Sequence, residues 1–166
     1  MMELNWILIL ATGLIPLVLG AVWYGPMGFN NAWMKEADMT LEKMEGANMG
    51  KVFALAGLFG IILATAIAPI VVHQLGVFSV LQSPDFATEG SEASIYFSDF
   101  MSKYGTNFRT FKHGAFHGLL IGLFIFLPIM ATNALFERKS WKYILINVGY
   151  LTVSATLMGG IISAFA

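Results

Sequence analysis

The C-terminal third of the chain decides the fold. From His113 it reads HGAFHGLLIGLFIFLPIMATNALF, up to Phe136, and from Tyr143 it reads YILINVGYLTVSATLMGGIISAFA, up to Ala166. Neither stretch contains an Asp, Glu, Lys or Arg, and each is 24 residues long. About 20 apolar residues are enough to cross a hydrocarbon core of roughly 30 Å. The short polar linker Glu137-Arg138-Lys139-Ser140-Trp141 makes the pair an antiparallel helical hairpin. Working outward, Leu4–Met34 and Val52–Pro84 are also free of charge. The pattern predicts an all-α integral membrane protein, a single domain over 1–166, with four transmembrane helices at about 4–26, 50–74, 113–135 and 142–165. Soluble helices of this length would need a charged outer face. The alternating pattern of a membrane β-barrel is missing.

Composition agrees. Hydrophobic residues make up 57% of the 166 residues and charged residues 11%, against about 25% charged in a soluble domain. This argues against a soluble enzyme and against a disordered chain. Nine basic and ten acidic residues give a net charge of −1, so no basic surface attracts nucleic acid or anionic lipid. Cysteine is absent, which excludes disulfides, thiolate metal sites and cysteine nucleophiles. The leading Met1-Met2-Glu3 is acidic, unlike the basic start of a signal peptide. The first span is therefore expected to stay as helix 1.

The loops differ in character. In the first, 27–49, Thr40 precedes a short capped helix stopped at Gly46, and Asn48 is a candidate cap for the second span. In the second, about 75–112, Ala93, Tyr96, Phe97, Phe100, Met101 and Tyr104 fall on one helical face, predicting an amphipathic helix over about 92–104. Such a helix lies in the membrane interface or covers the bundle. Loops 1 and 3 carry Lys35, Lys43, Lys51, Arg138, Lys139 and Lys142, against Lys103, Arg109 and Lys112 on the other side. The excess of basic residues puts loops 27–49 and 136–141 in the cytoplasm, with the termini and the 75–112 loop outside the plasma (inner) membrane.

Small residues repeat at helical spacing. They are Ala56, Gly60, Ala64 and Ala68 on helix 2, Gly114, Gly118 and Gly122 on helix 3, and Thr152, Thr156, Gly160 and Ala164 on helix 4. Such stripes let backbones approach closely, which is what drives helix association in lipid. They pack the four helices together, or one of them, on helix 3, is left to face a second protomer or a larger membrane complex.

Asn5-Trp6, the run Gly20-Ala21-Val22-Trp23-Tyr24-Gly25-Pro26, and Ala32-Trp33-Met34-Lys35 stand at and after the first span. With Gly118-Leu119-Leu120-Ile121-Gly122-Leu123, Leu127-Pro128, Ala131-Thr132-Asn133 and Ile146-Asn147-Val148-Gly149-Tyr150, they resemble the uncharacterised DUF 1761 family across nearly the whole chain. The resemblance implies a small four-span bacterial membrane protein with no established activity. Read physically, Trp23, Tyr24 and Trp33 are interface anchors or the walls of a binding pocket built on the paired aromatics, and Gly25-Pro26 ends the helix and turns the chain.

No hydrolase, phosphate-loop, dinucleotide or zinc-protease motif is present. The chain leans away from an enzyme, and no catalytic residue is assigned. No acid lies mid-span, which disfavours a carboxylate relay across the bilayer. Asn133 and Asn147 lie seven residues either side of Ser140, so both should sit at one depth in the hairpin, face inward, and pair or share a partner. His73 closes helix 2, while His113 and His117 open helix 3 on the same side of the membrane. The i, i+4 pair plus a third imidazole makes a candidate site for a divalent metal, haem or a sensed proton, with Glu92 or Asp99 as possible oxygen ligands; the alternative is that these interfacial histidines bond headgroups, water or loop carbonyls. Three functions follow: a structural or accessory subunit of a membrane assembly; a small transporter or channel, its water path lined by Asn133, Asn147, Tyr150 and Ser154; or a metal- or haem-binding membrane protein.

Overall fold

The computed structural model describes residues 4–166. All regular structure among them is helical: α1 (Trp6–Gly13), α2 (Ile15–Trp23), α3 (Asn30–Ala37), α4 (Leu41–Met44), α5 (Met49–Val71), α6 (Gln74–Leu81), α7 (Glu92–Tyr104), α8 (Phe111–Ile121), a π-helical turn (Gly122–Phe126), α9 (Leu127–Phe136) and α10 (Trp141–Phe165). Four rods are long and apolar enough to cross a membrane: Trp6–Trp23, Met49–Val71, Phe111–Phe136 and Trp141–Phe165.

The first rod is not one continuous helix reaching residue 26, as its composition suggested. It breaks at Leu14, and α2 ends at Trp23. Pro16 has no N–H for the carbonyl of Thr12 and crowds it, so the chain tightens there and Leu14 N–H donates to the Ala11 carbonyl at 3.2 Å. The break is fastened from outside, because the Tyr150 hydroxyl donates to the Pro16 carbonyl at 2.8 Å. Side-chain caps start five later elements: Thr40 on α4, Asn48 on α5, Ser91 on α7, Thr110 on α8 and Ser140 on α10. Each satisfies a backbone N–H that has no partner inside its helix.

The last helix, α10, is the hub, packed against α8 most extensively and also against α1, α2, α5 and α9. Its approach to α8 is backbone to backbone. A methyl group added at Gly114 would strike the Gly159 carbonyl, one at Gly118 the Ala155 carbonyl, and one at Gly122 the Thr152 side chain. The small-residue stripe of the third rod therefore packs inside the molecule, against α10. Gly60 meets the Gly13 carbonyl in the same way, and Gly160 lies under the Phe111 ring. Ala64 and Ala68 are fully buried and Ala56 half-buried.

The third rod changes phase midway. Leu127 N–H reaches back five residues to the Gly122 carbonyl, the signature of a π-bulge. The extra residue rotates everything after it by about 100° relative to an unbroken α-helix, so Ala131 and Ala134 turn inward against Ile144 and Val148. The first and third loops meet on one face: the Ser140 hydroxyl donates to Glu36 at 2.6 Å and Lys139 Nζ to the Ala37 carbonyl at 3.3 Å.

Candidate metal centre

The opposite face carries the histidines. α5 runs through Pro69 and stops at Val71. His73 thus does not close that helix but stands as the capping residue of α6, a short helix the periodicity of the sequence did not indicate. Thr110 starts α8, and four residues of α-helix put His113 and His117 on one face. The result is convergent. His73 Nε2 and His113 Nε2 are 2.9 Å apart, and His113 Nε2 and His117 Nε2 are 3.1 Å apart. One ligating nitrogen from each of the three imidazoles lies within 4.8 Å of the other two. His73 is exposed and the other two are half-buried.

Hydrogen bonding uses only part of this arrangement. A neutral imidazole presents either one proton or one lone pair at Nε2, so His113 Nε2 can make a linear bond to only one of its two neighbours. A metal ion uses all three lone pairs at once. Zinc–nitrogen bonds of about 2.0–2.1 Å set tetrahedral ligand nitrogens about 3.3–3.4 Å apart, a few tenths of an ångström beyond the two short contacts seen. The acidic ligands the sequence offered do not join. Asp99 is held by Lys103 at 2.8 Å, and Glu92 lines a separate cleft with Ser83, Asp85 and Tyr96. Among the described residues the cluster is histidine only.

A clamp that sequence reasoning missed surrounds the cluster. Gln74, next to His73, is buried, and its amide nitrogen donates to the Tyr104 and Asn107 carbonyls at 3.1 and 2.9 Å. Gln74 Oε1 is buried without a partner. Phe108 takes a left-handed φ of +62°, which for a bulky residue persists only where its surroundings enforce it. Here the Ser163 hydroxyl donates to the Phe108 carbonyl and Arg109 Nε donates to the Ser163 carbonyl, both at 3.1 Å. Burial holds the Arg109 guanidinium below its ordinary range. The Phe108 ring is thereby set against His113 and His73, with centroids 5.0 and 6.1 Å away.

The other candidate residues gather at the far end. Trp23 Nε1 donates to the Ile146 carbonyl at 3.1 Å, and the Tyr24 hydroxyl donates to Asn147 Oδ1 at 3.0 Å. Asn147 Nδ2 in turn donates to the Tyr143 carbonyl at 2.8 Å. Tyr24 packs edge-on to both Trp33 and Tyr150. Gly25 is obligatory, since a Cβ there would strike the Ala21 carbonyl, and the chain turns at Pro26. Asn133 does not take part. It is exposed, and the expected pairing with Asn147 is overturned. Equal distance from Ser140 fixed its depth but not its azimuth, which the π-bulge upstream resets. Of the four side chains named for a water path, Asn133 stands apart, while Asn147 and Tyr150 both meet Tyr24 and the fully buried Ser154 donates to the Tyr150 carbonyl.

Four membrane-length helices, packed through small residues and joined by loops on two opposite faces, make this a multi-pass helical membrane protein in architecture. The chain belongs to the family described as "Protein of unknown function (DUF1761)", whose model matches residues 7–163. Neither the curated proteins nor the solved structures contain a match.

Proposed function

We propose that this protein is a transition-metal-binding membrane protein whose metal is held by His73, His113 and His117 at the membrane-face ends of two spans. The observation that carries the reading is the convergence of three imidazole nitrogens within 4.8 Å, drawn from helices far apart in sequence. An all-imidazole donor set suits Zn(II), Cu(II), Ni(II) or Co(II) over Mg(II) or Ca(II). A bare ion fits better than a haem held between two of these histidines. The ring centroids stand 4.5 to 5.1 Å apart and nearly edge to face, with no room for a macrocycle between them. The distribution of Lys and Arg supports an orientation with this face outside and the Glu36–Ser140 face in the cytoplasm.

The test is metal content of protein purified in a mild detergent without a histidine tag, incubated with zinc and passed through a desalting column. The expected result is one zinc per chain, lost in His113→Ala and in His117→Ala while helical circular dichroism is unchanged. Zinc below about a tenth of an equivalent, or a content that His117→Ala leaves unaltered, removes the reading, given that a structural zinc site of this kind binds tightly near neutral pH.

A further inference from the structure

We infer that the metal centre keeps one coordination position for an anionic oxygen ligand, a carboxylate or phosphate, that comes from outside the chain. The inference rests on the metal reading above. The count of ligands comes first. Ions of this class take four or more ligands, and a site with three protein ligands leaves a position for water or substrate. Among the described residues the chain supplies three and no more, because Asp99 is engaged by Lys103 and Glu92 faces another cleft.

Charge comes next. Three neutral imidazoles leave the ion's double positive charge uncompensated. From Tyr104 to Phe136 the chain carries no acid, but it does carry Arg109 and Lys112 just ahead of the two α8 histidines. Arg109 is half-buried, and its Nε is spent on the Ser163 carbonyl. A positive centre of this kind favours an anion in the open position over neutral water, and a bound metal ion is the largest local charge that an incoming ligand meets.

The walls give the ligand its shape. Phe108 is 62% exposed although its ring touches two of the histidines. Its left-handed backbone is held there by Ser163, and the turn before it by Gln74. Phe116 stands beside His117 on the next turn, its ring centroid 6.0 Å away. An exposed aromatic fixed at the edge of a charged site offers a surface to the apolar body of a ligand whose head is anionic. The same head chemistry comes from two sources: a free anion, or the headgroup of an amphiphile arriving along the membrane surface.

Cobalt(II) in place of zinc reports on both. The cobalt-loaded protein in a non-ionic maltoside micelle is titrated with acetate, with inorganic phosphate and with decanoate, and the visible d–d absorption is followed. The expected result is a saturable shift of the bands with the anions, lost in His117→Ala together with the bands themselves. A half-saturating concentration for decanoate well below that for acetate assigns the amphiphile as the source, and Phe108→Ala then raises the decanoate value about fivefold, more than it raises that for acetate. Equal values for the two assign the free anion. Cobalt bands that no anion moves overturn the inference and leave the metal reading standing, with a fourth ligand from the chain. A protein that takes up no cobalt and no zinc overturns both.

Discussion

At one end of the helix bundle, Tyr24, Asn147 and Tyr143 form a chain of hydrogen bonds in which every donor finds an acceptor, and Trp23 closes on a backbone carbonyl beside them. At the other end three imidazole nitrogens lie within 4.8 Å of one another, the adjacent Gln74 keeps a buried oxygen without a partner, and Phe108 holds a left-handed backbone. Both ends are polar clusters tying distant helices together. The first satisfies itself and needs nothing more to be stable. The second leaves lone pairs, an orphan acceptor and local strain in one place, and such features persist where the surrounding structure over-determines them and where a ligand completes the set. The contrast separates interhelical glue from the proposed metal site better than residue type does.

The largest expected effect abolishes the contrast, because it removes the frame both ends share. Gly118→Leu drives a side chain into the Ala155 carbonyl, where neither backbone can yield. It should cost about 3 kcal/mol or more, seen as loss of a cooperative unfolding transition in micelles. A wild-type midpoint would mean that α8 and α10 do not touch at this position.

Next comes a measurement that should act at one end only. Zinc at a hundred times its dissociation constant stabilises a protein by about 2.7 kcal/mol if it binds the folded state alone. That increment should vanish in His113→Ala and survive in Tyr24→Phe; an increment equal in all three proteins would place the zinc elsewhere. Gln74→Leu tests the clamp. It strips the donor from the Tyr104 and Asn107 carbonyls but also removes the orphan Oε1, so a net loss of about 1–2 kcal/mol is expected, with faster proteolysis between residues 105 and 110. Resistance equal to that of the parent would show that the turn is held without Gln74. At the satisfied end the double-mutant cycle of Tyr24→Phe with Asn147→Ala should give a coupling near 0.6 kcal/mol and no more than about 1.7. Zero coupling would reduce the pair to mere proximity.

Much of this was legible in the residues. The four rods follow from the lack of charge, α7 from its aromatic spacing, and the starts of α4 and α5 from Thr40 and Asn48. The i, i+4 spacing of His113 and His117 is local, and the side on which His73 emerges is fixed by topology, so both could be read without coordinates. The features that escaped are those no local pattern encodes. α3 ends at Asp38 in a left-handed conformation and docks on α10, and α6 is a single short helix lying against α7. Their stability comes from tertiary contact, since helices this short are marginal alone. The Gln74 and Ser163 clamps join residues 30 to 55 apart, and no periodicity points to them.

The smallest expected effect is at Asn133, where the comparison of the two ends is drawn most finely. Spacing about Ser140 gives Asn133 and Asn147 the same depth, yet only Asn147 is bonded, to Tyr24 and to its own helix. The π-turn at Gly122–Phe126 rotates α9 so that Ala131 and Ala134 are buried while Asn133 points away from α10. It also lies three residues from the end of α9 at Phe136, within reach of headgroup water, so its amide loses little hydration. Asn133→Leu should therefore change the unfolding free energy by less than about 0.5 kcal/mol, the range of surface substitutions away from special features. Asn147→Leu breaks two hydrogen bonds and leaves the Tyr24 hydroxyl without an acceptor, and should cost about 1–2 kcal/mol. The two leucine variants measured side by side in the same micelles decide the matter. If Asn133→Leu were the more damaging, the π-turn would not set the azimuth of α9, and the symmetric pairing across the hairpin would be restored.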